Sequence, residues 1–397
     1  MALVSIAETA GKQGRSPARF ALFALGFRPF YLLAAAFAAV AIPIWLAVLA
    51  GRMTTPMPGI WWHAHEMLFG FAAAVIVGFL FTAGRNWTGL DTPAGGPLAV
   101  LAGLWLAGRV AIAGDFGGWS ATVDLLFLPL AAVALARVLT RARSRRNYFL
   151  VGILGVLSLA NLAFHLGRLH VVPVDPLAAL HLALAIVITL ETVIGGRVIP
   201  GFTATAIRGV RQWQNAWLNR AAIAGTGLAL VTWVLVGSSA VGGGLCLLSA
   251  ALQAIRGAGW NPWSARRVPL LWVLHVAHSW IPLGLALLGL AQFGGLPAAA
   301  GIHALTIGAT GGLIIGMITR TALGHTGRPL AAGKFEVAAY VLVQLAAVTR
   351  VLPIALYPAA IWAGMVVAGI AWSSAFAIYL WRYMPWLLRP RIDGQPG

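Results

Sequence analysis

A single cysteine, Cys246, stands in the 397 residues, and that scarcity removes several chemistries at once. Disulfides within the chain, cysteine-based zinc sites, iron–sulfur ligation and covalent c-type haem attachment all need more than one thiol. Acidic residues are almost as sparse: 9 Asp and Glu stand against 27 Lys and Arg, charged residues make up 9% of the chain, and hydrophobic ones 60%. No soluble globular domain has that balance. No loop between the apolar runs is long enough to fold as a domain of its own, so one helical bundle must hold the function. The first 19 residues carry Lys12, Arg15 and Arg19 but no short apolar run ending in a small-residue cleavage site. The first span therefore reads as a retained helix.

What the sequence does have is apolar runs of membrane-spanning length. Twelve spans are expected, near 24–50, 62–83, 97–114, 120–140, 148–170, 176–200, 219–236, 241–256, 269–291, 299–319, 335–352 and 358–381. The fold class is thus an all-α polytopic membrane protein. A membrane domain over 24–382 lies between a cytoplasmic N-terminal segment, 1–23, and a cytoplasmic tail, 383–397. With both termini inside, only Arg52, Arg109, Arg168 and Arg350 of the 27 basic residues fall on the outer side, a lopsided positive-inside pattern. The same dispersal over loops that face anionic lipid explains the +18 net charge without nucleic acid. Arg208, Arg211, Trp213 and Trp217 after span six read as an interfacial segment.

The polar residues then acquire depth. His63, His65 and Glu66 open span two in the stretch W-W-H-A-H-E-M-L-F-G-F; His165 and His170 close span five; His181 and His303 lie just inside spans six and ten. Four different helices thus bring six of the nine histidines to the outer third. Imidazole is the commonest metal and haem ligand, so a metal or haem site is expected there. A proton or ion pathway built from the same residue types is the rival reading. His170, beside loop residues, reads as a solvated interfacial histidine. His275 and His278 share a face of span nine at a more inward depth, comparable with Glu191 on span six, and His325 stands alone in a cytoplasmic loop.

Helical rotation sets His63 and His65 on opposite faces, so one of them at most serves a given ion. His63 and Glu66 share a face, as a ligand with its orienting carboxylate or as a helix-start acid complementing the macrodipole. His65, one step deeper, pairs with His303 as the expected haem ligands, with His63 as the reserve. His165, His181 and His275 are the candidates for a second metal position. Arg109 is expected to pair with Asp124, because an arginine inside a span is tolerated chiefly when neutralised or able to snorkel. Gly308, Gly312 and Gly316 form a small-residue ridge on span ten, expected to be a helix contact. Spans two, six and ten share a plan, histidine first and then Arg85, Arg197 or Arg320 before a glycine or proline turn. That likeness points to a threefold repeat of four helices.

L-G-F-R-P-F-Y-L at 25–32, including Arg28, H-A-H-E-M-L-F-G-F at 63–71, N-W-T-G at 86–89, G-G-R-V-I-P-G-F-T at 195–203 and A-L-G-H-T-G-R-P at 322–329 together resemble the bacterial NnrS family. The resemblance runs over nearly the whole chain in order. It implies a twelve-span inner-membrane protein carrying haem and copper, associated with nitric oxide, denitrification and nitrosative-stress resistance. It leaves open whether nitric oxide is turned over, and what donates electrons. The haem–copper oxidases are similar in plan, with twelve spans and histidines on the second, sixth and tenth, but their H-H and H-x-H motifs are absent here, so that likeness is fold-level analogy. The competing functional class is a histidine-lined transporter or channel for a metal, proton or small solute.

Overall fold

In the computed structural model, which describes residues 20–395, twelve helices are long and apolar enough to cross a membrane. They are α1 (Phe27–Leu49), α2 (Gly59–Thr88), α3 (Gly96–Gly114), α4 (Gly118–Arg141), α5 (Arg145–Arg168) and α6 (Pro176–Ala206). The second half holds α7 (Ala216–Val236), α8 (Ala240–Gly259), α9 (Pro269–Gln292), α10 (Ala298–His325), α11 (Lys334–Leu356) and α12 (Pro358–Leu388). All twelve expected spans are present. Most of the expected N-terminal segment, residues 1–19, lies outside the described residues.

Local signals set the ends. Asp175 accepts from the Leu177 amide at 3.0 Å with Pro176 at the first helical position of α6, Asn215 accepts from Leu218 at 3.0 Å to start α7, and Ser239 accepts from Gly242 at 3.1 Å to start α8. Each satisfies an amide that the first turn leaves orphaned. Gly89, at φ 68°, stops α2 in the left-handed conformation that suits glycine. Four helices outrun their expected ends on the arginine-rich face: α2 reaches Thr88, α6 Ala206, α10 His325 and α12 Leu388. Hydropathy fades there before helicity does, because arginines cover the last turns. Arg320 lies 3.8 Å over the Phe202 ring, and Arg382 4.4 Å over Trp386. His325 is accordingly the last residue of α10, its ring 5.5 Å from Phe27, and does not stand alone in a loop.

Consecutive helices pack side by side from α3 to α9, while α12 returns against α1 and α11. Inside this arrangement α2 touches α6, and α6 touches α10. Burial separates the two classes: 83% of the apolar window of α2 and 72% of that of α10 are buried, against 22% for α7. The ends of the chain are tied together by Arg28, fully buried, whose Nη1 donates to the carbonyls of Leu387 at 2.8 Å and Arg389 at 2.7 Å.

The glycine ridge of α10 is a helix contact, as its rotation requires. A Cβ on Gly308 would meet the Trp280 ring at 2.3 Å, one on Gly312 the Ala277 methyl at 2.7 Å, and one on Gly316 Leu274 at 2.8 Å, all on α9. Two stretches inside helices widen beyond α geometry. Glu66–Ala72 in α2 and Ala304–Gly311 in α10 are π-helical, each beginning immediately after a histidine, His65 and His303. Such wide turns concentrate at functional sites.

Candidate functional site

The arginine-poor ends of α2, α6 and α10 enclose a cavity of roughly 300 Å³, into which each contributes one imidazole: His63, His181 and His303. The walls are apolar, with Trp45, Met67, Phe71, Leu184, Ile307 and Trp372 among them. The lining holds one guanidinium, Arg350 of α11, and no carboxylate. The volume is at the lower end of the range for pockets that take organic ligands.

Each imidazole is held in its own way. His63 stacks flat on Trp45, ring centroids 4.9 Å apart and planes 7° from parallel. His181 packs on Trp233 at 4.6 Å. Nδ1 of His303 lies 2.7 Å from the carbonyl of Ala299, one turn back. A carbonyl only accepts, so Nδ1 carries the hydrogen and Nε2 keeps its lone pair. That is the tautomer of an Nε2 metal ligand whose second nitrogen is oriented by a backbone acceptor. Three nitrogen donors from three helices, apolar walls for a macrocycle and one guanidinium for a carboxylate substituent make a donor set that fits a haem.

His65 faces the other side of α2, as the rotation argument demands, and enters a separate buried cluster. Its Nδ1 lies 2.9 Å from Glu66 Oε1, and its Nε2 lies 3.1 Å from Asn161 Oδ1 and 3.2 Å from Asp124 Oδ2. Asp124 Oδ2 also receives Asn161 Nδ2 at 2.7 Å and His165 Nε2 at 2.9 Å. Arg109 of α3 pairs with both Glu66 and Asp124, so the expected Arg109–Asp124 pair exists and has a third member. Arg168 extends the cluster, its Nε donating to His165 Nδ1 at 3.2 Å and its Nη1 to Asp115 at 2.9 Å. One ligand atom each from His65, Asp124 and His165 lies within 4.8 Å of the others, close enough to hold a metal ion.

The structure therefore regroups the expected site residues. His65 and His303 do not share a cavity: His65 belongs to the α2–α5 cluster, and His63, the reserve, takes the place beside His303. The earlier choice turned on one residue of depth, whereas the direction each ring faces decides the matter. His165, His181 and His275 do not form one group either. His165 joins His65, His181 lines the cavity, and His275 Nε2 is hydrogen-bonded at 3.0 Å to Thr203, near the opposite end of α6. Glu66 supports His65 and Arg109 and has no hydrogen bond to His63. His170 is exposed, at φ 56°, in the loop after α5.

Of the other expected supporting residues, Glu191 lies at the middle of α6 and lines a second, smaller cavity, while Arg28 and His325 belong to the packing of the chain ends. Arg197 lies 5.3 Å over the Phe149 ring and Arg320 covers Phe202, so both lie toward the arginine-rich face, inside helices that run on to Ala206 and His325. Sequence reasoning missed Arg350, Asn161 and Arg168. Arg350 and Arg168 were among the four basic residues assigned to the arginine-poor side, and that misplacement was their signal.

No curated protein matches the chain. The family model described as NnrS protein matches residues 21–391, nearly the whole described structure and both sites with it. This chain belongs to the NnrS family.

Proposed function

We propose that this protein is an inner-membrane haem and copper protein of the nitric oxide response, with both termini cytoplasmic, and that its haem lies in the cavity of His63, His181 and His303. The observation that carries the reading is the convergence of three imidazoles, from the three central helices, on one apolar cavity. A haem bound there supplies an iron that takes nitric oxide or another small diatomic and exchanges single electrons. His303 presents Nε2 to the cavity, fixed by its bond to Ala299. Arg350 offers the counter-charge for a carboxylate substituent. The apolar walls exclude water and keep the site of low dielectric.

Copper has a separate donor set in His65, Asp124 and His165. Both ring nitrogens of His65 face oxygen acceptors, so a copper ion bound there would take the place of a ring proton, and nitrogen donors suit that metal.

The test is the visible spectrum and the copper content of the purified full chain. Loss of the haem absorbance in His303→Ala and in His63→Ala, with His165→Ala keeping haem but losing copper, supports the assignment. A colourless and metal-free wild-type protein overturns it in favour of a transporter. Reporter fusions at Arg143 and at Trp119 test orientation: a periplasmic signal from the arginine loop overturns it.

A further inference from the structure

A second cavity, of about 100 Å³, lies next to the first on its arginine-rich side, and Ala72 and Thr310 line both. Those two residues, one from each π-helical stretch, form the waist between the cavities. The inner cavity is walled by Val75, Leu80, Val187, Ile314, Met317 and similar side chains. Only two titratable groups line it, Glu191 of α6 and Tyr31 of α1. Glu191 Oε2 and the Tyr31 hydroxyl are both buried with no partner at full hydrogen-bond geometry, the side chains of Thr310 and Thr321 being the polar groups near them.

Two unsatisfied polar groups in one otherwise apolar chamber need an explanation, because each costs free energy unless something visits it. No cation lines the chamber, so an ionised Glu191 would stand without a counter-charge. The resting carboxyl therefore keeps its proton. We propose that Glu191 and Tyr31 form a proton-loading site, from which Glu191 exchanges a proton with the histidine cavity across the waist at Ala72 and Thr310. The use to which that proton is put rests on the haem reading; the site itself does not.

The route toward the arginine-rich face is a run of buried phenols. Tyr379, whose hydroxyl also lacks a partner, lies on α12, which packs against the helix that carries Tyr31. It stacks on Tyr383 with ring centroids 4.6 Å apart. The Tyr383 hydroxyl donates to Glu336 Oε1 at 3.1 Å, at the first turn of α11. A proton given up by the Glu191 carboxyl leaves a carboxylate. The Tyr31 hydroxyl then donates its own proton to that carboxylate and regains one taken up from water at the arginine-rich face, so each group returns to its starting state.

The full-length protein, in membranes, is treated with the lipid-soluble dicyclohexylcarbodiimide and mapped by mass spectrometry. That reagent adds to a protonated carboxyl: the acid proton passes to a carbodiimide nitrogen and the product is a stable acylurea. The expected adduct is on Glu191 in the wild type and in Tyr31→Phe, and is absent from Glu191→Gln. Infrared spectra should show a carboxylic C=O band that moves on transfer to deuterium oxide, is lost in Glu191→Gln, and exchanges more slowly in Tyr31→Phe. Labelling at other carboxyls with Glu191 untouched, or a band that does not exchange, overturns the proposal. Haem content, read on the same samples, bears on the cavity assignment alone.

Discussion

Arg109 of α3 donates from Nη2 to Asp124 of α4 while its Nη1 pairs with Glu66 of α2, so one guanidinium joins three helices at a single buried point. Removing Asp124 leaves Arg109 with Glu66 alone and takes from Asn161 and His165 the oxygen they share. Asp124→Asn should destabilise the protein by about 3–5 kcal/mol, read as a lower melting temperature in detergent. Arg109→Met should cost a similar amount, and the double variant less than the sum of the two. Strictly additive losses would show that the pair does not couple.

Arg350 is the single guanidinium in the wall of the histidine cavity. Arg350→Ala should weaken haem retention during purification by about tenfold, as loss of one charge-assisted contact predicts, while Arg350→Lys keeps most of it. Unchanged haem occupancy in Arg350→Ala would remove the carboxylate role.

On the α9–α10 contact, Gly312 leaves room for the Ala277 methyl, which a Cβ would meet at 2.7 Å. Gly312→Val should cost about 1–3 kcal/mol through overpacking, and Ala277→Gly in the same chain should recover part of it. Thermal denaturation of the single and double variants gives the comparison; failure of the second change to help would place the strain elsewhere.

Arg28 spends its two hydrogen bonds on the carbonyls of Leu387 and Arg389. Arg28→Ala should cost on the order of 3 kcal/mol and expose the chain after Leu388 to protease. Limited proteolysis followed by intact-mass measurement would find that cleavage, and an unchanged digestion pattern would contradict the tie.

Much of the fold was legible because hydropathy reports length and burial directly: all twelve helices stand where apolar runs stand. The Arg109–Asp124 pair was legible for a related reason, since two opposite charges at one depth in an apolar medium have few other ways to be accommodated. The glycine ridge was readable from rotation alone. The grouping of the histidines was not, because it depends on which way each ring faces and on which non-sequential helices meet. Rotation correctly separated His63 from His65, yet depth could not tell that His65 would turn toward Asn161 and Asp124. Spacing puts Glu66 on the face of His63, although its partners are Arg109 and the adjacent His65.

The π-helical turns after His65 and His303 make the site sensitive to chain length in a way that composition does not reveal. Deleting one residue within Glu66–Ala72 would leave twelve apolar spans and the same charge pattern on both faces. It would also let α2 relax to regular α geometry with its two ends still in phase, because the wide turn holds one residue more than an α turn. A deletion between residues 73 and 77 that kept the wide turn would instead rotate the two ends relative to one another by about 100°. With the lower half of α2 anchored by Gly78 against Phe30, His63 would swing off its stack on Trp45 and leave the cavity. The wide turn acts as a phase-setter, and a chain one residue shorter just below it would still insert as a twelve-helix protein while lacking one of its three imidazoles.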